Sequence, residues 1–375
     1  MSSERTLHIG LIGTGFLART RVRCYARAAG IDARIVVVAS KDTSRAESFA
    51  AEHGIDSVAT NAAELLTRDD IQMVDLCVPN GLHMSLTMEA AAAGKHVVCT
   101  KPLLGFTGSS ADNPGDPTSD ARAMVRACAD SGVKLMYGEN WVYAPAIRRA
   151  CQLHAQSGGQ ALELHGWESH SGSHANYAAT WKQSGGGVLV RLAAHPIGAM
   201  LQLKHEEGLR LHGAPVRVEA VSCERGNLDR SKPESELESW GLAILHFTDG
   251  TRGIAHGSDH CLGGMQSKLE IRASNALYRC NLSPNDALQT WAGSDGMFGD
   301  TELMEKAGTQ AGWNSAIPDQ DVSSGHQAMC DSFCRDVLED LPPLADGELG
   351  VEVMRVLHAA YLSAASGSRI SLAPA

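Results

Sequence analysis

The strongest constraint on the fold lies in residues 7–18, where an apolar run breaks into a glycine-rich turn and a helical pattern follows. The run 7–12 suits a buried strand, and Gly13-x-Gly15-x-x-Ala18 is the spacing that cradles phosphate groups at a helix N-terminus. The first glycine permits a tight bend, and the second lets the backbone approach a pyrophosphate. A plain strand–helix turn can show the same short pattern, so the following residues decide between the two.

Strand-like and helix-like segments alternate from this turn to about residue 140, with short connections between them. Further strands are predicted at residues 34–39, 73–78, 96–99 and 133–137. This alternation is typical of an α/β fold with a doubly wound parallel sheet and right-handed crossovers. In that setting the glycine turn predicts a dinucleotide site, with Phe16 and Leu17 beside the phosphates.

The end of the second predicted strand bears on the choice between NAD and NADP. An acid there accepts a hydrogen bond from the ribose 2′-hydroxyl of NAD, whereas a cation favours the 2′-phosphate of NADP. The strand ends in Ser40 and Lys41, which suit a phosphate, although Asp42 can turn inward to a hydroxyl and Lys41 can be a solvated turn residue. The residues favour NADP and leave NAD open.

Composition and charge exclude several classes of protein. The formal net charge of −11 and the absence of a Lys/Arg block argue against nucleic acid as a partner. No apolar stretch is long enough to span a bilayer, and no secretory signal precedes the first strand, so we expect a cytoplasmic protein without a membrane partner. The ten cysteines are scattered, which predicts reduced, mostly buried thiols.

Three later stretches resemble the glucose-fructose oxidoreductase / inositol dehydrogenase (Gfo/Idh/MocA) family. Val78-Pro79-Asn80-Gly81-Leu82-His83 is similar to its V-x-x-P-N-x-x-H motif, and residues 94–103 (GKHVVCTKPL) are similar to G-K-H-V-x-x-E-K-P-L. Residues 184–195 (SGGGVLVRLAAH) resemble G-G-G-x-L-x-D-x-x-x-H. Asp346-Gly347 and the helix that follows resemble the closing helix of the family.

The resemblance implies an N-terminal Rossmann domain and a C-terminal α+β domain with a large, mostly antiparallel sheet that often pairs subunits. We expect a dinucleotide domain at 1–140, a substrate and oligomerisation domain at 141–345, and a last helix at 346–375 packing back on the first domain. Strand-like alternation at 161–168, 216–223, 241–247, 251–257 and 268–273 agrees with such a sheet.

The resemblance also implies site residues and a nicotinamide-dependent reaction on a sugar, polyol or related carbonyl compound. Pro79, Asn80 and His83 would line the nicotinamide ribose, with Thr100 and Asn140 also at the cofactor. Lys101 would be the catalytic lysine and His195 the proton-transfer histidine. Removal of hydride from an alcohol needs a group that takes the hydroxyl proton, and a lysine near a positive nicotinamide becomes a usable base.

Two departures from the family pattern affect the expected chemistry. Thr100 replaces the acid of E-K-P, and Arg191 replaces the aspartate one turn before His195. The family's Asp–His pair is therefore not intact. A guanidinium at this place suits bidentate capture of an anion, which predicts an anionic sugar, and the alternative is a structural arginine paired with an acid elsewhere.

Several other side chains are candidates for substrate contact. Tyr143 is a candidate acid or base, although packing is the alternative. His170, His174, Trp181 and Lys182 are expected at the substrate mouth, with Trp181 stacking on a sugar ring. The irregular spacing of the histidines argues against a metal site. The insert 105–116 is expected to be either a lid over the site or a plain surface insertion.

These features predict an oxidoreductase acting on a small carbohydrate, as a homo-oligomer paired through its C-terminal sheet. An alternative with the same first step is redox-neutral glycoside hydrolysis, in which oxidation at C3 is transient and the aglycone is eliminated. The incomplete Asp–His pair, the lid-like insert and the anion-binding Arg191 are compatible with that alternative. A non-catalytic dinucleotide sensor is the third possibility.

Overall fold

Six parallel strands form the first sheet of the computed structural model, which describes residues 6–173 and 176–373. The strand order is β3-β2-β1-β4-β5-β6, and every neighbouring pair is parallel. The strands are β1 (Thr6–Ile12), β2 (Asp32–Ala39), β3 (Ser57–Ala59), β4 (Met73–Leu76), β5 (His96–Thr100) and β6 (Leu135–Gly138). This order confirms the predicted doubly wound sheet, and it places the carboxyl ends of all six strands at one edge.

Five helices connect these strands, and two of them begin at residues whose side chains cap the helix. They are α1 (Phe16–Ala26), α2 (Thr43–His53), α3 (Ala62–Leu66), α4 (His83–Ala92) and α5 (Thr118–Asp130). The Asp42 carboxylate accepts from the Arg45 backbone N–H, and Asn61 caps α3 in the same way. Asp42 is therefore used as a helix cap.

The second sheet has seven strands in the order β12-β11-β7-β10-β9-β8-β15. They are β7 (Ala161–Ser169), β8 (Val218–Gly226), β9 (Trp240–Phe247), β10 (Arg252–Ser258), β11 (Gln266–Ala273), β12 (Leu277–Asn281) and β15 (Ile370–Ser371). Only the β7–β10 pair is parallel within the described chain, which confirms a mostly antiparallel sheet. A separate ribbon joins β13 (Gln289–Ala292) to β14 (Gly312–Ser315).

We call residues 6–140 the first half of the chain and residues 141–373 the second half. The helices of the second half pack against the inner face of this sheet or against the first half. They are α6 (Pro145–Ser157), α7 (Trp181–Ser184), α8 (Ala194–His212), α9 (Gln320–Ser323), α10 (His326–Leu338) and α11 (Gly347–Ser366). A π-helical turn, Leu189–Ala193, runs directly into α8, and 3₁₀ turns occur at Asn80–Leu82, Asn140–Tyr143 and Asn176–Ala179. None of the helices in the described ranges is long and apolar enough to cross a membrane.

Helix α11 contacts both halves of the molecule. A Cβ on Gly350 would lie 2.9 Å from a methyl of Leu103, so the helix lies close against the first sheet. Farther along α11, the Tyr361 hydroxyl donates to Glu238 at 2.8 Å in the second half. The helix packs on the nucleotide half, as expected, and the exact domain boundaries remain a prediction.

The insert 105–116 is docked on the second half of the chain. Phe106 is buried, and its N–H donates to the Gly185 carbonyl at 3.1 Å. The indole N–H of Trp181 donates to the Gly108 carbonyl at 2.8 Å. These contacts hold the insert against the glycine-rich segment that precedes the π-helical turn.

Candidate active site

A cavity of about 1560 Å³ runs along the carboxyl edge of the first sheet and between the two halves of the chain. Its lining includes the glycine turn, the end of β2 and the residues that follow β5. Strands β2 and β5 lie on opposite sides of β1, so the cavity extends across the sheet from one to the other. The volume exceeds that of a usual small-ligand pocket and accommodates an extended ligand such as a dinucleotide.

The glycine turn fits a dinucleotide phosphate group. Gly13 has φ +109°, and a Cβ there would lie 2.1 Å from the Cys77 carbonyl oxygen. Gly15 begins α1 without a side-chain cap, and a Cβ there would have no neighbour within 4 Å. Both glycines, with Phe16 and Leu17, line the cavity. The helix N-terminus therefore faces open space that an anionic group can fill.

The end of β2 presents basic and hydroxyl groups to the cavity. Ser40 and Lys41 line it, as predicted, and so does Arg45 from the first turn of α2. Asp42 is absent from this lining because its carboxylate caps α2. Arg45 is not among the residues predicted from the sequence, although an arginine one helical turn after a lysine at a strand end is a signal for a phosphate site.

Lys101 follows β5 at the sheet edge and reaches the second half of the chain. Its ammonium donates a hydrogen bond to the backbone carbonyl of Arg191. Burial lowers the pKa of Lys101 to about 8, although the charges of Glu139 and Glu168 oppose this shift. A lysine with this pKa can both hold and release a proton close to neutral pH.

His195 pairs with a carboxylate that comes from the first half of the chain. Its Nδ1 lies 2.7 Å from Glu139 Oε1, and its ring stacks on Trp141 with 6.0 Å between centroids. Burial lowers the pKa of His195, which keeps the ring neutral. With Nδ1–H donating to Glu139, Nε2 is available as a proton acceptor. The histidine thus has an acid partner, but not at the position expected from the family pattern.

The sequence does not identify Glu139, because the family pattern places the acid partner of His195 on the same helix as the histidine. Glu139 directly follows β6, at the same sheet edge as Lys101, and is fully buried. A Cβ on Gly198 would lie 2.9 Å from Glu139 Cγ, so that glycine, three residues after His195, leaves room for the acid. An acid at the carboxyl end of a parallel strand was the available signal.

Arg191 is already engaged in an ion pair. Its Nη2 lies 2.5 Å from Asp259 Oδ2, both side chains are mostly buried, and Arg191 lines the cavity. This is the structural alternative considered for Arg191, an arginine paired with an acid elsewhere in the chain. The pairing offsets the positive charge that an anionic substrate would use.

The predicted nicotinamide residues differ in what they contact. Pro79, Asn80, Thr100 and Asn140 line the cavity. His83 does not, because it is buried with Nδ1 3.0 Å from the Pro102 carbonyl and Nε2 3.2 Å from the Val78 carbonyl. The prediction that His83 lines the ribose is therefore wrong. The ring instead connects, through its two hydrogen bonds, the segment after Lys101 to the segment that follows β4.

Two further predicted contacts are also wrong. Tyr143 is buried away from the cavity, and its hydroxyl accepts from the Ala345 N–H at 2.9 Å, so it packs rather than catalyses. Trp181 is buried beside Phe106 and Tyr361 and cannot stack on a sugar.

The remaining candidates for substrate contact divide between the cavity and the outside. Lys182 is exposed outside the cavity, which contradicts its predicted place at the mouth. His170 lines the cavity, as expected, whereas His174 lies outside the described residues. The insert 105–116 contributes no cavity-lining residue, so it does not cover the cavity as a lid in the described structure.

Part of the segment 308–325 lines the cavity. Arg23 of α1 and Arg27, which follows this helix, pair with Asp321 and Asp319 at 2.9 and 2.7 Å, and these ion pairs hold the segment against α1. Glu168, Tyr177, Glu305 and His326 are further lining residues that were not predicted. Within residues 6–173 and 176–373, no group of three His, Cys, Asp or Glu is placed to hold a metal ion.

The two glycines of the turn predict different mutant phenotypes. Gly15→Ala should leave the melting temperature unchanged but weaken NADP⁺ binding by about tenfold or more, a loss of about 1.4 kcal/mol, because the new methyl occupies the phosphate position. Gly13→Ala should lower the melting temperature, because its Cβ meets the Cys77 carbonyl at 2.1 Å. Thermal denaturation and nucleotide titration measure both effects. Unchanged nucleotide affinity in Gly15→Ala would contradict this site.

Comparison with known proteins places this architecture among sugar dehydrogenases. Residues 7–139 match the family model GFO_IDH_MocA, described as an oxidoreductase family with an NAD-binding Rossmann fold. The chain is 27% identical over 320 residues to levoglucosan dehydrogenase of Pseudarthrobacter phenanthrenivorans, covering 78% of this chain and 77% of that protein. It is 25% identical to D-xylose 1-dehydrogenase (NADP(+)) 2 of Haloferax volcanii, covering 97% and 99% of the two chains.

The fold itself is similar to that of solved structures. GenD2 from gentamicin A biosynthesis, crystallised in complex with NAD, superposes with a TM-score of 0.84 and 23% identity over 100% of this chain and 98% of that one. The motifs, the parallel sheet with its glycine turn and the family match agree with one another. These findings support membership of the chain in the Gfo/Idh/MocA family of oxidoreductases.

Proposed function

We propose that the protein is an NAD(P)-dependent oxidoreductase that oxidises a hydroxyl group of a small carbohydrate, or catalyses the reverse reduction. The observation that carries this proposal is that Lys101 and His195 line the same cavity as the glycine turn. The sequence relatives, a levoglucosan and a D-xylose dehydrogenase, support a sugar as substrate. The nicotinamide, when bound, accepts or supplies the hydride.

Lys101 and His195 divide the proton transfer between them in this proposal. The neutral amine of Lys101 accepts a hydrogen bond from the substrate hydroxyl and takes its proton as the carbonyl forms. His195, held by Glu139, receives that proton at Nε2 and passes it towards solvent. The stacked Trp141 and the bond to Glu139 fix the ring. Lys101 donates to the Arg191 carbonyl, and a bound substrate hydroxyl would become a further partner of its Nζ.

The ion pair between Arg191 and Asp259 bears on the charge of the substrate. Arg191 is neutralised by Asp259, which favours an uncharged sugar. An anionic sugar is the second candidate, because Arg191 Nε has no hydrogen-bond partner among the described residues and can still donate to a ligand. A sugar acid in the substrate panel separates the two.

A substrate panel tests the proposal directly. Levoglucosan, D-xylose, myo-inositol and D-glucuronate, each with NAD⁺ or NADP⁺, should give reduced nucleotide for at least one sugar, followed by absorbance. Nitrophenyl glycosides test the redox-neutral alternative, since they would release nitrophenol without accumulation of reduced nucleotide. Tight nucleotide binding without either reaction would contradict both and favour the sensor.

The pKa of Lys101 predicts the pH dependence of sugar oxidation. Because the amine accepts the proton, only its neutral form acts, and that form grows about tenfold per pH unit below its pKa of about 8. The rate kcat/KM should rise from pH 6 and level off above pH 8. Lys101→Met should lose about 10²–10⁴-fold in kcat with nucleotide affinity retained. A rate that falls as pH rises would contradict the role of Lys101.

We further propose that NADP is the preferred nucleotide, supported by Ser40, Lys41 and Arg45 in the cavity lining. Lys41→Ala and Arg45→Ala should each weaken NADP⁺ binding by about tenfold with little change for NAD⁺, because only NADP⁺ carries the 2′-phosphate. Lys232→Ala, an exposed lysine outside the cavity, is the matched control. Equal loss for both nucleotides would contradict the preference.

We propose that subunits pair through the outer face of the second sheet. Alternate residues of β9, including Trp240, Leu242 and Ile244, face outward and are only partly buried, and Ile254 of β10 joins them. An aspartate in place of Ile244 and of Ile254 should yield monomers in sedimentation velocity, because burying two charges at an interface is unfavourable. Leu262→Asp, at an 85% exposed residue, is the control. An unchanged assembly would contradict this surface.

A further inference from the structure

Glu168 is a buried acid in the cavity wall to which the roles proposed above assign no task. It lies one residue before the end of β7, is 3% exposed, and lines the cavity together with Lys101 and Arg191. Its direction follows from strand alternation, because Leu164, Gly166 and Glu168 point to the same inner face of the sheet. The carboxyl therefore reaches the cavity from the second half of the chain, opposite the sheet edge that carries Lys101.

Two glycines on the inner face allow the neighbouring backbone to approach Glu168. A Cβ on Gly166 would lie 2.3 Å from Pro196 Cβ, so α8 packs directly on β7. A Cβ on Gly257, the register partner of Glu168 on β10, would lie 2.9 Å from the Val188 carbonyl. The π-helical turn is thus held against the strand ends, and the acid sits in the same wall as Arg191.

The hydrogen bonding of Glu168 is incomplete within the protein. The Ser267 hydroxyl hydrogen-bonds the carboxyl group from the adjacent strand β11. The oxygen Oε2 is buried and has no hydrogen-bond partner among the residues that the structure describes. An unpaired buried polar atom is energetically unfavourable. A polar group of a ligand in the cavity would recover this energy.

Other acids near the cavity do not share this property. Glu139 also has one buried oxygen without a described partner, but it holds His195 and does not line the cavity. Glu305 lines the cavity and accepts from the Gln320 amide at 3.1 Å. Glu168 is thus the acid that combines near-complete burial, an open hydrogen-bonding position and access to the ligand.

On the basis of the proposed sugar oxidoreductase function, we propose that Glu168 contacts a second hydroxyl group of the sugar, adjacent to the one that is oxidised, and selects substrates that carry it. Glu168 and Lys101 line the same cavity, one from each half of the chain, and the charge of each acts on the pKa of the other. Neighbouring hydroxyls of one sugar ring can therefore meet both side chains at once.

The protonation of the free site suits this contact. Burial raises the pKa of Glu168 to about 8, so the carboxyl holds a proton at neutral pH and can both donate and accept. A hydroxyl group has the same dual capacity. A substrate with hydrogen in place of that hydroxyl would leave the buried carboxyl unpaired, which is the strongest kind of discrimination that a pocket provides.

A combined enzyme and ligand series tests the contact. Wild type and Glu168→Leu are assayed with levoglucosan, with D-xylose and with the monodeoxy derivatives of each, and sugar binding is titrated in the presence of NADPH. For wild type, one deoxy derivative should lose about 10–100-fold in kcat/KM. Glu168→Leu should lose a similar factor with the parent sugar and nothing further with that derivative.

Two additional variants separate a contact from a structural effect. Glu168→Gln keeps the hydrogen-bonding shape, so its preference for the parent sugar over the deoxy derivative should be retained and should not change with pH, whereas the preference of wild type should change as the carboxyl loses its proton near pH 8. Glu47→Leu changes the same residue type at an exposed position of α2 outside the cavity and should behave as wild type. If wild type is active but the deoxy derivative lowers kcat/KM as much in Glu168→Leu as in wild type, the contact to Glu168 is contradicted while the proposed function stands. No binding and no turnover of any sugar by wild type overturns the proposed function with it.

Discussion

Between the two halves of the chain, the ammonium of Lys101 donates to the main-chain carbonyl of Arg191, and the arrangement of the site depends on this contact. The donor stands at the edge of the parallel sheet, and the acceptor belongs to the π-helical turn that leads into α8. π-Helical turns interrupt regular hydrogen bonding and are frequent at functional sites. The relative position of the two halves therefore sets the position of the lysine in the cavity.

The charges around this contact are arranged in pairs, as burial requires. His195 is matched by Glu139, and Arg191 by Asp259. Beneath them, Arg21 and Asp75 form a fully buried pair with 3.0 Å between Nε and Oδ2. With these neighbours compensated, the groups that retain an adjustable proton near neutral pH are Lys101 and Glu168. Proton transfer can thus be confined to the substrate without disturbing the surrounding charges.

The sequence predicts the first half of the molecule well, because its interactions are local. Strand–turn–helix units are encoded by adjacent residues, so the turn at Gly13 and the lysine after β5 lie where expected. The strand pattern of the second half is also predicted, apart from the short strands β12 to β15. Such short or exposed strands carry too few alternating residues to be recognised.

The sequence fails where a contact joins distant elements. Glu139 and His195 are 56 residues apart, and no spacing rule connects the end of a parallel strand to a helix in another layer. The same applies to Arg191 and Asp259, and to Trp181, whose indole is taken up by the insert. A lone aromatic or charged residue is equally compatible with a ligand and with a neighbour in the fold, and only the tertiary packing decides.

The contact between Glu139 and His195 depends on the absence of a side chain at Gly198. The space above its Cα is filled by the Cγ of Glu139, so even a methyl group there would push the acid off the imidazole of His195. A larger residue at 198 is compatible with the pair only if the acid at 139 becomes shorter. Residues 139 and 198 are far apart in the sequence but in contact in the fold, so substitutions at one should be accompanied by substitutions at the other. Among homologous chains, the residue at 198 should therefore indicate whether a carboxylate supports the histidine.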